Sequence, residues 1–175
     1  MINDVLEKVN LHKKRAKLAL LEIEQWEKLD CDIFENFDKI KTIDTFIYRF
    51  IKLQDIMGEK LFKVFLDEIG EYKDNMSLLD ILDKLEKFEV IDESIKWMEY
   101  RKLRNKLTHE YPNNEQDIID GIILSIEVFD EIENIIEKIV NYRSKFLWKK
   151  DRVLSLLLQV HKTIAKTLNP IYKIN

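Results

Sequence analysis

The sequence predicts an all-α fold, an antiparallel helical bundle, and three observations carry that expectation. Breakers are scarce: three glycines (Gly58, Gly70, Gly121) and two prolines (Pro112, Pro170) punctuate 175 residues, well below ordinary usage. The helix formers Leu, Lys and Glu are abundant. Apolar residues recur at steps of three and four over long stretches, the spacing that lines one face of a helix. No run supports a strand, and no internal repeat is found.

Taken in order, a first helix is expected from about residue 3 to 29, with Val5, Val9, Ala16, Ala19, Leu20, Ile23 and Trp26 as its buried stripe. Polar residues from Asp30 to Asn36 mark a loop. A long second helix, about 39 to 69, carries Ile43, Phe46, Ile47, Phe50, Gln54, Met57, Leu61, Val64 and Phe65, and Gly70 ends it. Gly58 inside it costs about 1 kcal/mol of propensity relative to Ala, and so marks a close approach or a kink. Ser77 starts a short helix, about 78 to 88, with Asp80 in its first turn. Asp92 is placed to cap the next, about 93 to 110. Asn113 or Asn114 caps a helix to about 142, and a last helix, about 152 to 168, turns Val153, Leu154, Leu157, Ile164 and Leu168 to a partner surface. The Phe46/Phe50 and Phe62/Phe65 pairs read as core, not as a stacking platform for bases.

A chain of this length suits one domain, or a domain with an appendage. No apolar run approaches the roughly 18 residues of a membrane span, and the first residues lack the basic-then-apolar pattern of a signal peptide. The single Cys31 forms no internal disulfide and fits a reducing, cytoplasmic setting. With His12, His109 and His161 scattered, it builds no expected metal site. A net charge of −4 argues against a protein that coats nucleic acid over its whole surface. The distribution is uneven: residues 112–142 are acidic, with Lys138 their lone Lys or Arg, whereas residues 143–175 are basic, with Asp151 their lone acid. A further basic cluster, Lys96, Arg101, Lys102, Arg104 and Lys106, lies between. Such asymmetry bears on partners, not on fold.

That cluster leads into Arg104-Asn105-Lys106-Leu107-Thr108-His109-Glu110-Tyr111, just before Pro112. Arginine offers phosphate a planar fork of donors, and histidine moves a proton near neutral pH. A residue before proline is pushed out of the α region, so Tyr111 leaves the helix and His109 lies in its last turn. Five residues turn a helix by about 500°, which leaves Arg104 and His109 about 140° apart. They share a cleft only through the length of arginine, the helix end, or a second copy of the chain. The negative pole of the helix C-terminus favours imidazolium. On spacing alone, a helix-end histidine and surface arginines making ordinary contacts are the better explanation of the octapeptide, since an R-x4-H pair arises readily by accident.

The octapeptide resembles the R-N-x3-H-x-Y form of the R-x4-H motif of HEPN-domain proteins, in particular the HepT-like toxins paired with MNT-type nucleotidyltransferases. The block Asp44 to Phe62 is similar to the long second helix of that group, and Trp97 to Leu103 to its approach to the motif. The resemblance covers roughly residues 5–142, which makes residues 1–142 a HEPN-like bundle. Residues 143–175 are then a basic and apolar helical extension packed on the bundle or on a partner.

The resemblance implies a homodimer that brings two motifs into one cleft and cleaves RNA without metal or cofactor. Arg104 would grip the scissile phosphate, and His109 would act as general base or acid, the partner histidine taking the other role. Asn105 would orient the site, while Arg101, Lys102 and Lys106, with Lys96, would draw in RNA backbone. Tyr111 matches the tyrosine that the nucleotidyltransferase antitoxin modifies with AMP. The extension could thicken the dimer, bind the antitoxin or carry RNA. The alternative from a different class is a non-catalytic subunit that binds substrate for a nucleotidyltransferase, since fold does not dictate function; a helical scaffold with a fossil motif is a third reading.

Overall fold

A computed structural model describes residues 1–109 and 115–168, leaving aside the side chains of His109 and of residues 162–168. The described residues are helical, without a strand: α1 (Ile2–Ile23), α2 (Phe37–Ile56), α3 (Phe62–Glu68), α4 (Leu78–Lys87), α5 (Ser94–His109) and α6 (Glu115–Leu168). The chain forms two units, Met1–Ile139 and Val140–Asn175.

The first unit is an up-and-down bundle, and its side-chain pairings give the directions. Thr42 Oγ1 donates to Glu22 and Arg49 Nη1 to His12, so numbering rises on α2 as it falls on α1. Between α2 and α5, Arg104 meets Asp55 while Trp97 meets Gly58, again in opposite order. Between α5 and α6, Leu107 lies against Gly121 and Asp92, just ahead of α5, against Lys138. The core runs through the middle of these pairs. Phe46, Phe50, Phe62, Phe65, Trp97 and Phe129 are all buried, with Phe46 edge-on to Phe129 at 5.7 Å and Phe62 edge-on to Trp97 at 4.6 Å. Each such ring contributes about 1.5–3 kcal/mol by leaving water. The aromatic stripes are core, as their spacing predicts.

Local signals explain several helix ends. Asn36 caps α2, its side chain accepting from the Asp38 and Lys39 amides. Ser77 and Asp80 form a reciprocal capping box at α4. Gly70 takes a φ of +78° after α3, where the Glu71 amide reaches the Leu66 carbonyl. The corresponding residue after α4 is Glu89, at φ +58°.

Four expectations change. The first helix ends at Ile23 rather than near 29, because the chain tightens there into three-residue turns and Trp26 packs under Lys39 Nζ at 5.2 Å. Asp92 does not cap α5: its carboxylate accepts from Lys138, and the Ser94 amide and hydroxyl instead donate to Glu86 of α4. Nothing between residues 143 and 151 breaks a helix, so residues 152–168 continue α6 instead of starting a helix near 152. Val153, Leu154 and Leu157 of that stretch are exposed in the single chain. The caps expected at Asn113 or Asn114 lie outside the described residues.

The fourth change positions the site. Helix α2 does not run straight into α3 but passes through one wide π turn, Met57–Leu61. An added residue in the turn advances the buried face by about 100°. Phe62 and Leu66 therefore join Leu61 and Phe65 in the core, while Val64 is only half-buried.

Candidate functional site

Helix α5 carries Trp97, Arg101 and Arg104 at steps of four and three, and so on one face. That face looks onto Gln54, Asp55 and Gly58 of α2 and its π turn, and the two sides enclose a cleft of about 200 Å³. At Gly58 the indole lies close by: a Cβ there would lie 3.6 Å from Cζ2 and 3.8 Å from Nε1 of Trp97. The glycine that costs the helix propensity admits the edge of an indole, where a second backbone had been one expectation.

Arg104 is held on both sides. Its Nη2 lies 2.9 Å from Asp55 Oδ1, and its Nη1 donates to Asn105 Oδ1 at 2.9 Å. The third nitrogen, Nε, is buried without a hydrogen-bond partner among the described residues. The Arg104 and Asp55 side chains are 21% and 24% exposed, so the pair is neither fully solvated nor fully buried. Thr108 Oγ1 closes back on the Arg104 carbonyl at 2.7 Å, keeping α5 regular toward its end.

Two further residues of the cleft carry orphaned polar groups. Gln54 is 3% exposed, and neither Nε2 nor Oε1 finds a partner among the described residues; Trp97 is 1% exposed, and its Nε1 finds none either. A buried amide left unpaired costs about 1–3 kcal/mol, so these groups are expensive as they stand.

Of the residues singled out in the sequence, Arg101 and Arg104 line this cleft, while Asn105 is exposed outside it and accepts from Arg104. Lys102 is exposed and does not line it. Lys106 opens onto a separate apolar groove with Phe34, Ile43, Ile47 and Gly121. His109 is the last residue of α5, about 7.5 Å along the axis from Arg104. Its side chain and Tyr111 lie outside the described residues. Sequence reasoning missed Asp55, Trp97 and the role of Gln54, although a glutamine on an otherwise apolar stripe was the available signal.

A second polar cluster sits between α1 and α2. Arg49 Nη1 approaches His12 Nδ1 at 3.4 Å, which requires a neutral acceptor imidazole. Burial first, then the nearby Arg49, Arg15 and Lys52 charges, hold the His12 pKa below its ordinary value.

No family model matches the chain, and no curated protein matches it. Fold and cleft together define a class: an all-α helical bundle whose second and fifth helices clasp an arginine–carboxylate pair beside unpaired buried polar groups. Among the described residues no helix is long and apolar enough to cross a membrane.

Proposed function

We propose that the chain is a HEPN-like, metal-independent RNA endonuclease, the toxin of a HepT/MNT-type toxin–antitoxin pair, acting in the cytoplasm as a homodimer. The observation that supports this best is Arg104, fixed by Asp55 and Asn105 one and a half turns before the helix-ending His109. A preset guanidinium costs no reorganisation when charge develops on a phosphate, which is the term that usually dominates catalysis. In the proposed reaction a histidine removes the ribose 2′-hydroxyl proton, and the oxygen attacks phosphorus. The bond to the 5′-oxygen breaks, a protonated histidine supplies that oxygen with its proton, and a 2′,3′-cyclic phosphate and a 5′-hydroxyl result. His109 takes one role and His109 of a second copy the other. Arg101, Lys102 and Lys106 contact backbone phosphate without reading sequence. Control comes from a cognate nucleotidyltransferase that adds AMP to Tyr111. The test is RNA cleavage by the purified chain in EDTA, with cyclic-phosphate ends, lost on Arg104→Ala or His109→Ala. Cleavage retained by both variants would sink the assignment.

One observation favours the second reading, a non-catalytic substrate-binding subunit of a nucleotidyltransferase complex. Asp55 already neutralises Arg104, which suits a binding surface as well as a reactive one. This reading expects no cleavage, no growth arrest when the chain is expressed alone, and an unaffected complex after His109→Ala.

A further inference from the structure

The unpaired polar atoms of the bundle are not scattered. Of the five buried side-chain nitrogens and oxygens without a partner among the described residues, four belong to three residues lining one cleft: Gln54 Nε2 and Oε1, Trp97 Nε1 and Arg104 Nε. Folded proteins rarely leave such groups unmet, and each calls for an explanation. A cluster of them in the walls of one cleft is explained by a ligand that supplies the missing partners.

Their chemistry narrows the ligand. Trp97 Nε1 and Arg104 Nε only donate, whereas the Gln54 carboxamide both donates and accepts. A bare phosphate offers mainly acceptors. It would serve Gln54 Nε2 better than Gln54 Oε1, and it would meet Asp55 and Glu59, which line the cleft along with Lys63. The occupant must therefore carry adjacent donors and acceptors on a small neutral body. At about 200 Å³ the space is below the roughly 300–1,000 Å³ of sites that enclose a whole ligand. It suits one ring system. Gln is a natural partner for the paired donor and acceptor on a base edge, and Arg101 stands at the same cleft to meet a phosphate attached to that ring. The wide π turn belongs to the same picture, since such turns recur at functional sites.

We infer that the cleft between Gln54, Gly58 and Trp97 binds a single unstacked nucleobase, with the adjoining phosphate against Arg101 and Arg104. The base comes either from a free nucleotide or from an RNA strand. The strand source rests on the ribonuclease reading, and it would give a sequence-blind backbone grip one position of base preference.

The Trp97 indole proton reports occupancy directly. The chain has three tryptophans, and Trp26→Phe and Trp148→Phe assign their indole signals in a ¹⁵N-labelled full-length sample. The ligands are the four ribonucleoside monophosphates, inorganic phosphate, and a 2′-O-methylated oligoribonucleotide that cannot be cleaved. Expected is a saturable shift of the Trp97 signal with at least one mononucleotide and with the oligonucleotide, but not with phosphate. Tighter binding of the oligonucleotide identifies the strand as source, and equal binding the free nucleotide. Gln54→Leu, which removes an unpaired amide and so should fold well, is expected to weaken binding at least tenfold. Gly58→Ala, whose methyl meets Trp97 only at ordinary contact distance, should crowd the cleft and also weaken binding. An unmoved Trp97 signal with all nucleotides, the same shift with phosphate alone, or unchanged affinity in a folded Gln54→Leu protein overturns the inference. A saturable shift in a chain that cleaves no RNA overturns only the nuclease reading.

Discussion

Replacing Asp55 by Asn tests whether the cleft stores a guanidinium for phosphate. At 2.9 Å and an effective dielectric near 20, the bare attraction between Asp55 and Arg104 is about 6 kcal/mol. Desolvation and side-chain ordering offset most of it: exposed pairs retain about 0–1 kcal/mol, whereas breaking a buried pair costs about 3–5. Side chains 21% and 24% exposed fall between those limits, so Asp55→Asn should cost about 1–2 kcal/mol. For a chain of this size that is a fall in Tm of about 2–8 °C.

The same change should improve RNA binding. Asp55 and a phosphate compete for one guanidinium, and removing the carboxylate frees Nη2. Affinity for a single-stranded oligoribonucleotide, measured by anisotropy in a His109→Ala background, should rise about three- to tenfold, up to about 1.4 kcal/mol. The salt dependence should steepen by about 0.7 in log–log slope, the signature of one further phosphate contact. Losing a nearby negative charge would also help RNA in a diffuse way, so a double-mutant cycle is needed to separate the two effects. In an Arg104→Ala background Asp55→Asn should gain little. An equal gain with and without Arg104, or an unchanged Tm, would refute the reasoning.

Other consequences are simpler to read. Removing Arg104 should lower cleavage about 10²–10³-fold and removing His109 about 10²–10⁴-fold, measured in EDTA with circular dichroism to confirm folding; activity within a few-fold of the parent would contradict both roles. Because the His12 pKa is lowered in the folded chain, the unfolded chain takes up that proton first as pH falls below about 6.5. His12 therefore contributes no loss above that pH and a growing one below it, and His12→Gln should flatten the decline in denaturation midpoint from pH 6.5 to 5; parallel curves would exclude this source. Glu89 sits at φ +58°, a conformation that costs a side chain about 1–2 kcal/mol, so Glu89→Gly should raise Tm by a few degrees, and an unchanged or lower Tm would count against that strain.

Much of the fold is legible in the sequence, because helix periodicity and caps are local. Ser77 with Asp80, Gly70 after α3, and the Phe46/Phe50 stripe all act within a few residues of themselves, and each does in the structure what its local pattern indicates. Errors arise where a neighbour wins. Asp92 looks like a cap until Lys138, 46 residues away, takes its carboxylate. The site divides along the same line. Arg101, Arg104 and Asn105 are recognisable from α5 alone, but Asp55, which fixes Arg104, belongs to a helix about fifty positions earlier. Nothing in an acidic residue next to Gln54 announces that pairing. Lys106 shows the converse: beside Arg104 and Asn105 in sequence, it opens onto a different groove.

Gln54 and Gly58 look like two separate blemishes in a good helix, a polar residue on an apolar stripe and a breaker one turn later. The π turn makes them one feature. Had α2 continued without it, Phe62 would have turned away from the core stripe, and its edge-on contact with Trp97 at 4.6 Å would not have formed. Seated on Phe62, the Trp97 indole brings Nε1 against Gly58, in the cleft that Gln54 also lines. The added residue thus extends the core and opens the cleft at once. Selection for stability alone would have filled that cleft, since Leu at Gln54 and Ala at Gly58 each remove a cost of about 1 kcal/mol or more. Both costs fall on the same cleft of about 200 Å³, beside the one arginine that the motif singles out, and that coincidence makes the cleft the place to look for a ligand.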